Sequence, residues 1–147
     1  MEQHQAQRIL VPVNGQLPEL DDETVRLACR LAPTEGARIY AVHVIEVTRS
    51  RPIDTFLPED HERGEQVLNR AEEIITGFKI EAETELVQAR DSGPAIVGEA
   101  DEWKAELIVM GIPHRRRFGD FYLGKTAPYV LKHASCQVIL FRERLQT

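Results

Sequence analysis

The sequence RILVPVNG, residues 8–15, joins a short apolar run to a turn signal. The run is rich in β-branched residues, which is typical of a strand buried on both faces of a parallel sheet. Asn14–Gly15 then predicts a sharp turn. Acidic residues at 21–23 complement the dipole at the start of a helix, and apolar residues continue from Val25 at helical spacing. The stretch therefore predicts a strand, a turn and a helix in succession.

Further strand-like segments alternate with helix-like segments along the chain. The predicted strands are ARIYAVHVI (37–45), IEAETELV (80–87), ELIVM (106–110) and CQVILF (136–141). An apolar stripe over 67–78, an opening at Ser92 and a stripe over 127–134 predict the remaining three of four helices. Residues 48–59 read as a loop or lid. This alternation predicts a three-layer αβα Rossmann-like fold, with the alternating strand 80–87 at a sheet edge.

Two of the predicted strand ends carry residues suited to a ligand site. Parallel sheets bind ligands beyond the carboxyl ends of the strands, where the strand order reverses. Asn14–Gly15 follows the first strand and Gly111 follows the fourth. If these strands are neighbours, the two turns face one pocket.

The composition limits the functions open to the chain. A formal net charge of −6 is unlike the basic surfaces of general nucleic-acid-binding proteins, so we expect no nucleic-acid partner. Cys29 and Cys136 lie far apart without metal-ligand spacing, so we expect both to be buried and no metal to bind. No segment resembles a signal peptide or is apolar for long enough to cross a bilayer, so we expect a cytoplasmic protein that is not membrane-inserted.

Residues 110–127, MGIPHRRRFGDFYLGKTA, combine glycines with basic and aromatic side chains. Two interpretations of Arg115–Arg117 stay open: a clamp on phosphate oxygens, or three arginines on a solvated loop. The aromatic residues Phe118, Phe121 and Tyr122 favour packing of this loop against the domain over stacking on a base. We expect His43 to be a hydrogen-bonded sheet residue. No catalytic triad, zinc-protease or Walker pattern is present, so the sequence predicts binding rather than catalysis.

Together these segments resemble the universal stress protein family over nearly the whole chain, from RILVPVNG to VILFR. In that family the first strand ends in a turn similar to VPVDGS, and the fourth ends in a nucleotide loop of the form G-x2-G-x9-G-[ST]. Gly111 and Gly124 match the first and third glycines with the spacing intact. His114 occupies the second glycine position, and Lys125 stands where the family has Ser or Thr.

The resemblance implies a single domain over residues 1–147, an adenine nucleotide α-hydrolase-like fold and a five-stranded parallel sheet in order 3-2-1-4-5. It also implies a site for ATP or another adenine nucleotide. The implied residues around the base are Pro12, Val13, Asn14 and Val42. Those around the ribose and phosphates are Met110, Gly111, Gly124, Lys125 and Thr126, with His114 and Arg115 in the same loop.

The departures from the family pattern predict an altered site. Histidine at 114 adds a Cβ and a ring where glycine lets the backbone approach phosphates. Lys125 replaces a hydroxyl by a point charge, with the Thr126 hydroxyl one place later. Asn14 keeps hydrogen-bonding capacity but lacks the carboxylate that favours a metal. We therefore expect no ordinary tight Mg-ATP binding, while the basic residues favour another adenine nucleotide or anion.

The leading hypothesis is a universal stress-type regulatory protein that works by ligand binding and dimerisation in a stress response. The expected homodimer forms through the last strand, with Val138, Ile139, Leu140 and Phe141 at its edge. The alternative is a nucleotide-free dimeric scaffold that docks on another protein such as a membrane transporter. A third hypothesis, an enzyme of the same superfamily, lacks a visible general base, so any ATP hydrolysis is expected to be very slow.

Overall fold

The computed structural model describes residues 7–145 and contains a five-stranded parallel sheet in the predicted order. Residues 1–6 and 146–147, which the expected domain of residues 1–147 includes, lie outside the described part. The central strand β1 lies between β2 and β4, and β3 and β7 form the two edges. The sheet strands are β1 (Arg8–Pro12), β2 (Arg38–Glu46), β3 (Glu81–Ala89), β4 (Leu107–Ile112) and β7 (Gln137–Arg142). The predicted order 3-2-1-4-5 is therefore confirmed, the fifth strand of the sheet being β7.

Four helices cover the sheet, two on each face. They are α1 (Pro18–Leu31), α2 (Pro58–Gly77), α3 (Ser92–Trp103) and α4 (Thr126–His133). One buried cluster joins α1 and α2 to the sheet, and a second joins α3 and α4 to its other face. Ile9 and Val11 enter the first cluster and Leu10 enters the second, all without exposed surface. The RILVP strand is thus buried on both faces, as its unbroken apolar run predicts.

The two sheet edges differ in character. On β3 the side chains alternate between exposed and half-buried from Glu81 to Leu86, which confirms the predicted edge position. On β7, Val138 and Leu140 pack against the second cluster, whereas Ile139 is 36% exposed. One edge of β7 is therefore unpaired within the sheet, and beside it Ile139 exposes an apolar side chain on the face opposite the second cluster.

A hairpin occupies the segment that the sequence presented as a loop. Strands β5 (Arg115–Arg117) and β6 (Asp120–Tyr122) pair antiparallel, and Phe118 and Gly119 form the turn with φ of +54° and +82°. Positive φ at both central residues is the geometry of tight hairpin turns, although it strains a bulky residue such as Phe118. The expected packing of the aromatic residues against the domain is wrong for Phe118, whose side chain is 93% exposed.

The connection after β2 is held in place by side chains of β3 and its end. Arg90 donates to the carbonyl oxygens of Thr48 and Arg51 at 2.6 and 2.7 Å, and Gln88 donates to two more in the same segment. Helix α2 begins at Pro58, well before the apolar stripe at Val67. Proline is favoured at this position because the first N–H groups of a helix have no partner within the helix. Cys29 is buried as expected, but Cys136 is only half-buried.

Candidate functional site

A cavity of about 640 Å³ opens at the carboxyl ends of β1, β2 and β4. The ends of β1 and β4 are neighbours because the strand order reverses there, so the two predicted turns face one space. All the predicted site residues except His114 line it: Pro12, Val13, Asn14, Val42, Met110, Gly111, Arg115, Gly124, Lys125 and Thr126. The structure thus brings residues from both halves of the chain around one cavity of the size that holds small ligands.

His114 is the predicted site residue that the structure places elsewhere. Its ring stacks on Phe121 with centroids 5.6 Å apart, and its backbone N–H donates to a carboxylate oxygen of Glu143 at 2.8 Å. Side chains alternate along an extended segment, so the ring of His114 points away from the face that Arg115 presents to the cavity.

The turn after β1 is built on a carboxylate. Asp21 accepts the backbone N–H of Gly15 at 2.8 Å and that of Asn14 at 3.4 Å, while Gly15 has φ of +78°. Burial raises the pKa of the Asp21 carboxyl, and the two N–H groups oppose that rise. Asp21 therefore does more than complement the helix dipole: it fixes the loop at the cavity wall. Only its position seven residues after Asn14 hinted at this in the sequence.

The amide of Asn14 is engaged within the same turn. Its Oδ1 accepts the backbone N–H of Gln16 at 2.9 Å. This local bond orients the side chain. Within residues 7–145 its NH₂ group has no hydrogen-bond partner, so it can donate to a ligand.

Lys125 stands at the entrance to α4, but its ammonium is already paired. Nζ lies 3.2 Å from Oδ1 of Asp91, and Arg49 lies 3.5 Å from the other oxygen of the same carboxylate. The hydrogen bond to Asp91 raises the pKa of Lys125. Gly124 precedes it with φ of +82°, a conformation that glycine adopts without strain. A phosphate at this helix start would have to compete with Asp91 for the lysine.

A hydrogen bond joins two of the loops that line the cavity. Arg115 donates from Nη2 to Oε1 of Gln16 at 3.1 Å. Tyr122, opposite Arg115 in the hairpin, also lines the cavity. The sequence pointed to Arg115 but not to Gln16 or Tyr122, because neither the hairpin nor its position over the turn is visible as a pattern.

Further polar residues of the cavity come from the second half of β2. His43 is buried with Nδ1 2.9 Å from the carbonyl oxygen of Val13, so Nδ1 carries a proton and donates, which confirms its expected role. Glu46 accepts the backbone N–H of Ser92 at 3.3 Å. In the sequence, only the position of Glu46 at the end of a predicted strand indicated that it lies near the site.

Within residues 7–145, no cluster of three or more His, Cys, Asp or Glu side chains has an arrangement able to hold a metal ion. In the same part of the chain, none of the helices combines the length and the apolar character needed to cross a membrane.

The parallel sheet with helices on both faces and a cavity at its switch point defines the class as a Rossmann-like α/β protein, and comparisons with known proteins identify the family. The profile of the Universal stress protein family matches residues 5–142. A universal stress protein of Thermus aquaticus is 34% identical over 119 residues, which cover 76% of this chain and 82% of that protein. The chain therefore belongs to the universal stress protein family.

Solved structures of the universal stress protein of Archaeoglobus fulgidus agree with the fold. One has a TM-score of 0.74 and 29% identity, and covers 90% of this chain and 96% of that chain. Another, in complex with dAMP, has a TM-score of 0.70 and 29% identity, and covers 90% of this chain and 95% of that chain.

Proposed function

We propose that this protein is a regulatory universal stress protein that binds an adenine nucleotide in the cavity at the strand ends. The observation that carries the proposal is the convergence of residues from three strand ends and the start of α4 on one cavity. The dAMP complex of the Archaeoglobus fulgidus relative supports the choice of ligand. Binding changes the conformation or the partners of the protein rather than starting a reaction.

The site is altered relative to one for tight Mg-ATP binding. Lys125 is tied to Asp91 where a hydroxyl donor is expected, and Asn14 offers an amide in place of a carboxylate. A triphosphate with its metal therefore finds neither a free lysine nor a carboxylate at Asn14. Nucleotides that need less charge compensation are the better ligands.

Calorimetry with the purified protein tests both parts of this proposal. We expect AMP or another adenine nucleotide to bind at micromolar concentration, and Mg-ATP to bind no better. Micromolar or tighter Mg-ATP binding with weaker AMP binding would contradict the altered site. If no adenine nucleotide binds, a nucleotide-free scaffold is the better account, and ATP affinity gained by His114→Gly with Lys125→Ser would then identify a remnant site.

We also propose that the protein forms a two-fold dimer through the unpaired edge of β7 and the apolar side chains beside it. An edge strand exposes unpaired backbone groups and invites pairing with a second copy. Ile139 and Phe141 belong to neither buried cluster, so they are available to an interface, whereas Val138 and Leu140 support the core.

Sedimentation at micromolar concentration tests the dimer. We expect twice the chain mass for the parent protein and the chain mass for Ile139→Lys. Leu31→Lys, at a comparably exposed apolar residue near the end of α1, is the matched control and is expected to remain dimeric. A monomeric parent, or an Ile139→Lys variant that still dimerises, would contradict the interface.

A further inference from the structure

The β5–β6 hairpin presents its consecutive arginines to different surroundings. Arg115 lies opposite Tyr122 in the antiparallel register, and Arg116 lies opposite Phe121. Paired residues share a face of the ribbon, and successive residues alternate between faces. Arg115 and Tyr122 line the cavity, whereas Arg116 and Phe121 belong to the other face. The register thus excludes Arg116 from the cavity, whereas Arg117 shares the face of Arg115.

The third arginine is held by aromatic rings. The guanidinium of Arg117 lies 5.6 Å from the ring centroid of Phe118 and 5.2 Å from that of Tyr122. This stacking occupies its planar faces near the tip of the hairpin. Arg117 therefore supports Tyr122 and is not among the cavity-lining residues.

Arg115 also differs from the other cations of the cavity in its partner. Arg63 pairs with Asp60 at 3.3 Å, and Lys125 pairs with Asp91 at 3.2 Å. Over residues 7–145, the hydrogen-bond partner recorded for the Arg115 guanidinium is the neutral amide oxygen of Gln16. A phosphate oxygen in place of that amide gives a charge-assisted and stronger hydrogen bond, and the guanidinium fork fits it in two places.

The charge of the cavity limits how much phosphate it can hold. Among its lining residues, the formal charges of Arg63, Arg115 and Lys125 are balanced by those of Asp21, Glu46 and Asp60. One phosphate group carries about −2 at neutral pH, and each further group adds negative charge. Arg115, whose guanidinium has a neutral partner, therefore offsets part of the charge of one phosphate group, and every further phosphate adds charge that the cavity does not offset.

We infer that the ligand is an adenine nucleotide with a single phosphate group and that Arg115 binds this phosphate by exchanging Gln16 for it. The inference rests on the proposed function, because it assigns the ligand class and its recognition to the same cavity. Lys125, the residue that the family pattern indicates for phosphate, stays with Asp91.

Calorimetric titration of the full chain with adenosine, AMP and ATP tests the inference, with Arg115→Gln as the variant. The parent protein is expected to bind AMP at least about tenfold more tightly than adenosine, and ATP no more tightly than AMP. In Arg115→Gln the affinity for AMP falls to that for adenosine, while adenosine binding is retained and shows that the cavity is intact. Arg115→Lys restores part of the preference because charge remains without the fork. Arg116→Gln is the matched control on the opposite face and behaves like the parent.

The outcomes separate this inference from the proposed function. If adenosine and AMP bind the parent equally, or if Arg115→Gln keeps the preference for AMP, the role of Arg115 is refuted while nucleotide binding stands. If ATP binds about tenfold more tightly than AMP, the single-phosphate assignment is refuted. If none of the three compounds binds the parent, the proposed function fails and this inference fails with it.

Discussion

Gly111 lies where helix α1 packs closely against the sheet beside the cavity. A Cβ built on this glycine would overlap Oγ1 of Thr24 and lie 3.1 Å from Cγ of Leu20. Both neighbours belong to α1, and both are buried, at 1% and 8% exposure. Thr24, the nearer of the two, has almost no exposed surface to move into, so Gly111→Ala pushes the start of α1 away from β4.

The expected cost of Gly111→Ala follows from this overlap. Overfilling a packed site by one methyl group destabilises a protein by about 1–3 kcal/mol. For a chain of this size each kcal/mol lowers the melting temperature by roughly 2–4 °C, so we expect a decrease of about 2–12 °C. Urea unfolding measures the loss, with an unchanged denaturant slope because the fold is the same.

A second substitution isolates the contact with Thr24. Thr24→Ala removes the nearest atom, so the double variant loses less stability than the two single variants together, by at least about 0.5 kcal/mol. Gly98→Ala is the matched control: its Cβ meets nothing within 4 Å in α3, so it gains up to about 1 kcal/mol from helix propensity. A neutral Gly111→Ala variant, or strictly additive effects with Thr24→Ala, would refute the close-packing explanation.

Three further predictions concern charge and thiol chemistry. Arg70→Met lowers the urea midpoint because the buried Asp22 carboxylate loses its bidentate partner at 2.6–3.0 Å. Arg70→Lys restores only part of the loss. Equal urea midpoints for the parent and the two variants would contradict this prediction. Folding raises the pKa of Asp21, so the ionisation of Asp21 destabilises the folded state. The stability of the parent relative to Asp21→Asn is therefore expected to decrease as the pH rises from about 3.9 through the native pKa, and to be constant above it. A stability difference that increases over this pH range would contradict the prediction. Burial raises the pKa of Cys29 to about 11, so little reactive thiolate forms there at pH 8. A disulfide reagent at this pH is expected to label the half-buried Cys136 first and Cys29 only on unfolding. Rapid labelling of both cysteines in the native protein would contradict this prediction.

The sequence by itself determined the layers of the fold. Unbroken apolar runs such as RILVP, separated by helical stripes, leave a parallel sheet with helices on both faces as the arrangement that buries them. The alternation of polar and apolar residues over Glu81–Leu86 also located an edge strand, because polar side chains at every second position indicate that one face of the strand is exposed. These are local signals with a fixed period, and tertiary structure does not alter them.

The strand order and most of the site residues came from the family resemblance rather than from such periods. Gly111 and Gly124 keep the spacing of the nucleotide loop, and both line the cavity. His114 matched a motif position in the same way, yet its ring stacks on Phe121 outside the cavity lining. Motif spacing fixes where the backbone passes but not which face a side chain takes.

Only the tertiary structure decided which charges are available at the site. The pairing of Lys125 with Asp91 spans 34 residues, and the bond from Arg115 to Gln16 spans 99. The selection of Arg115 over Arg116 depends on the register of a hairpin whose turn, Phe118–Gly119, lacks the usual Asn-Gly signature. Contacts between distant residues depend on how helices and loops pack on the sheet, and no local pattern in the sequence encodes that packing.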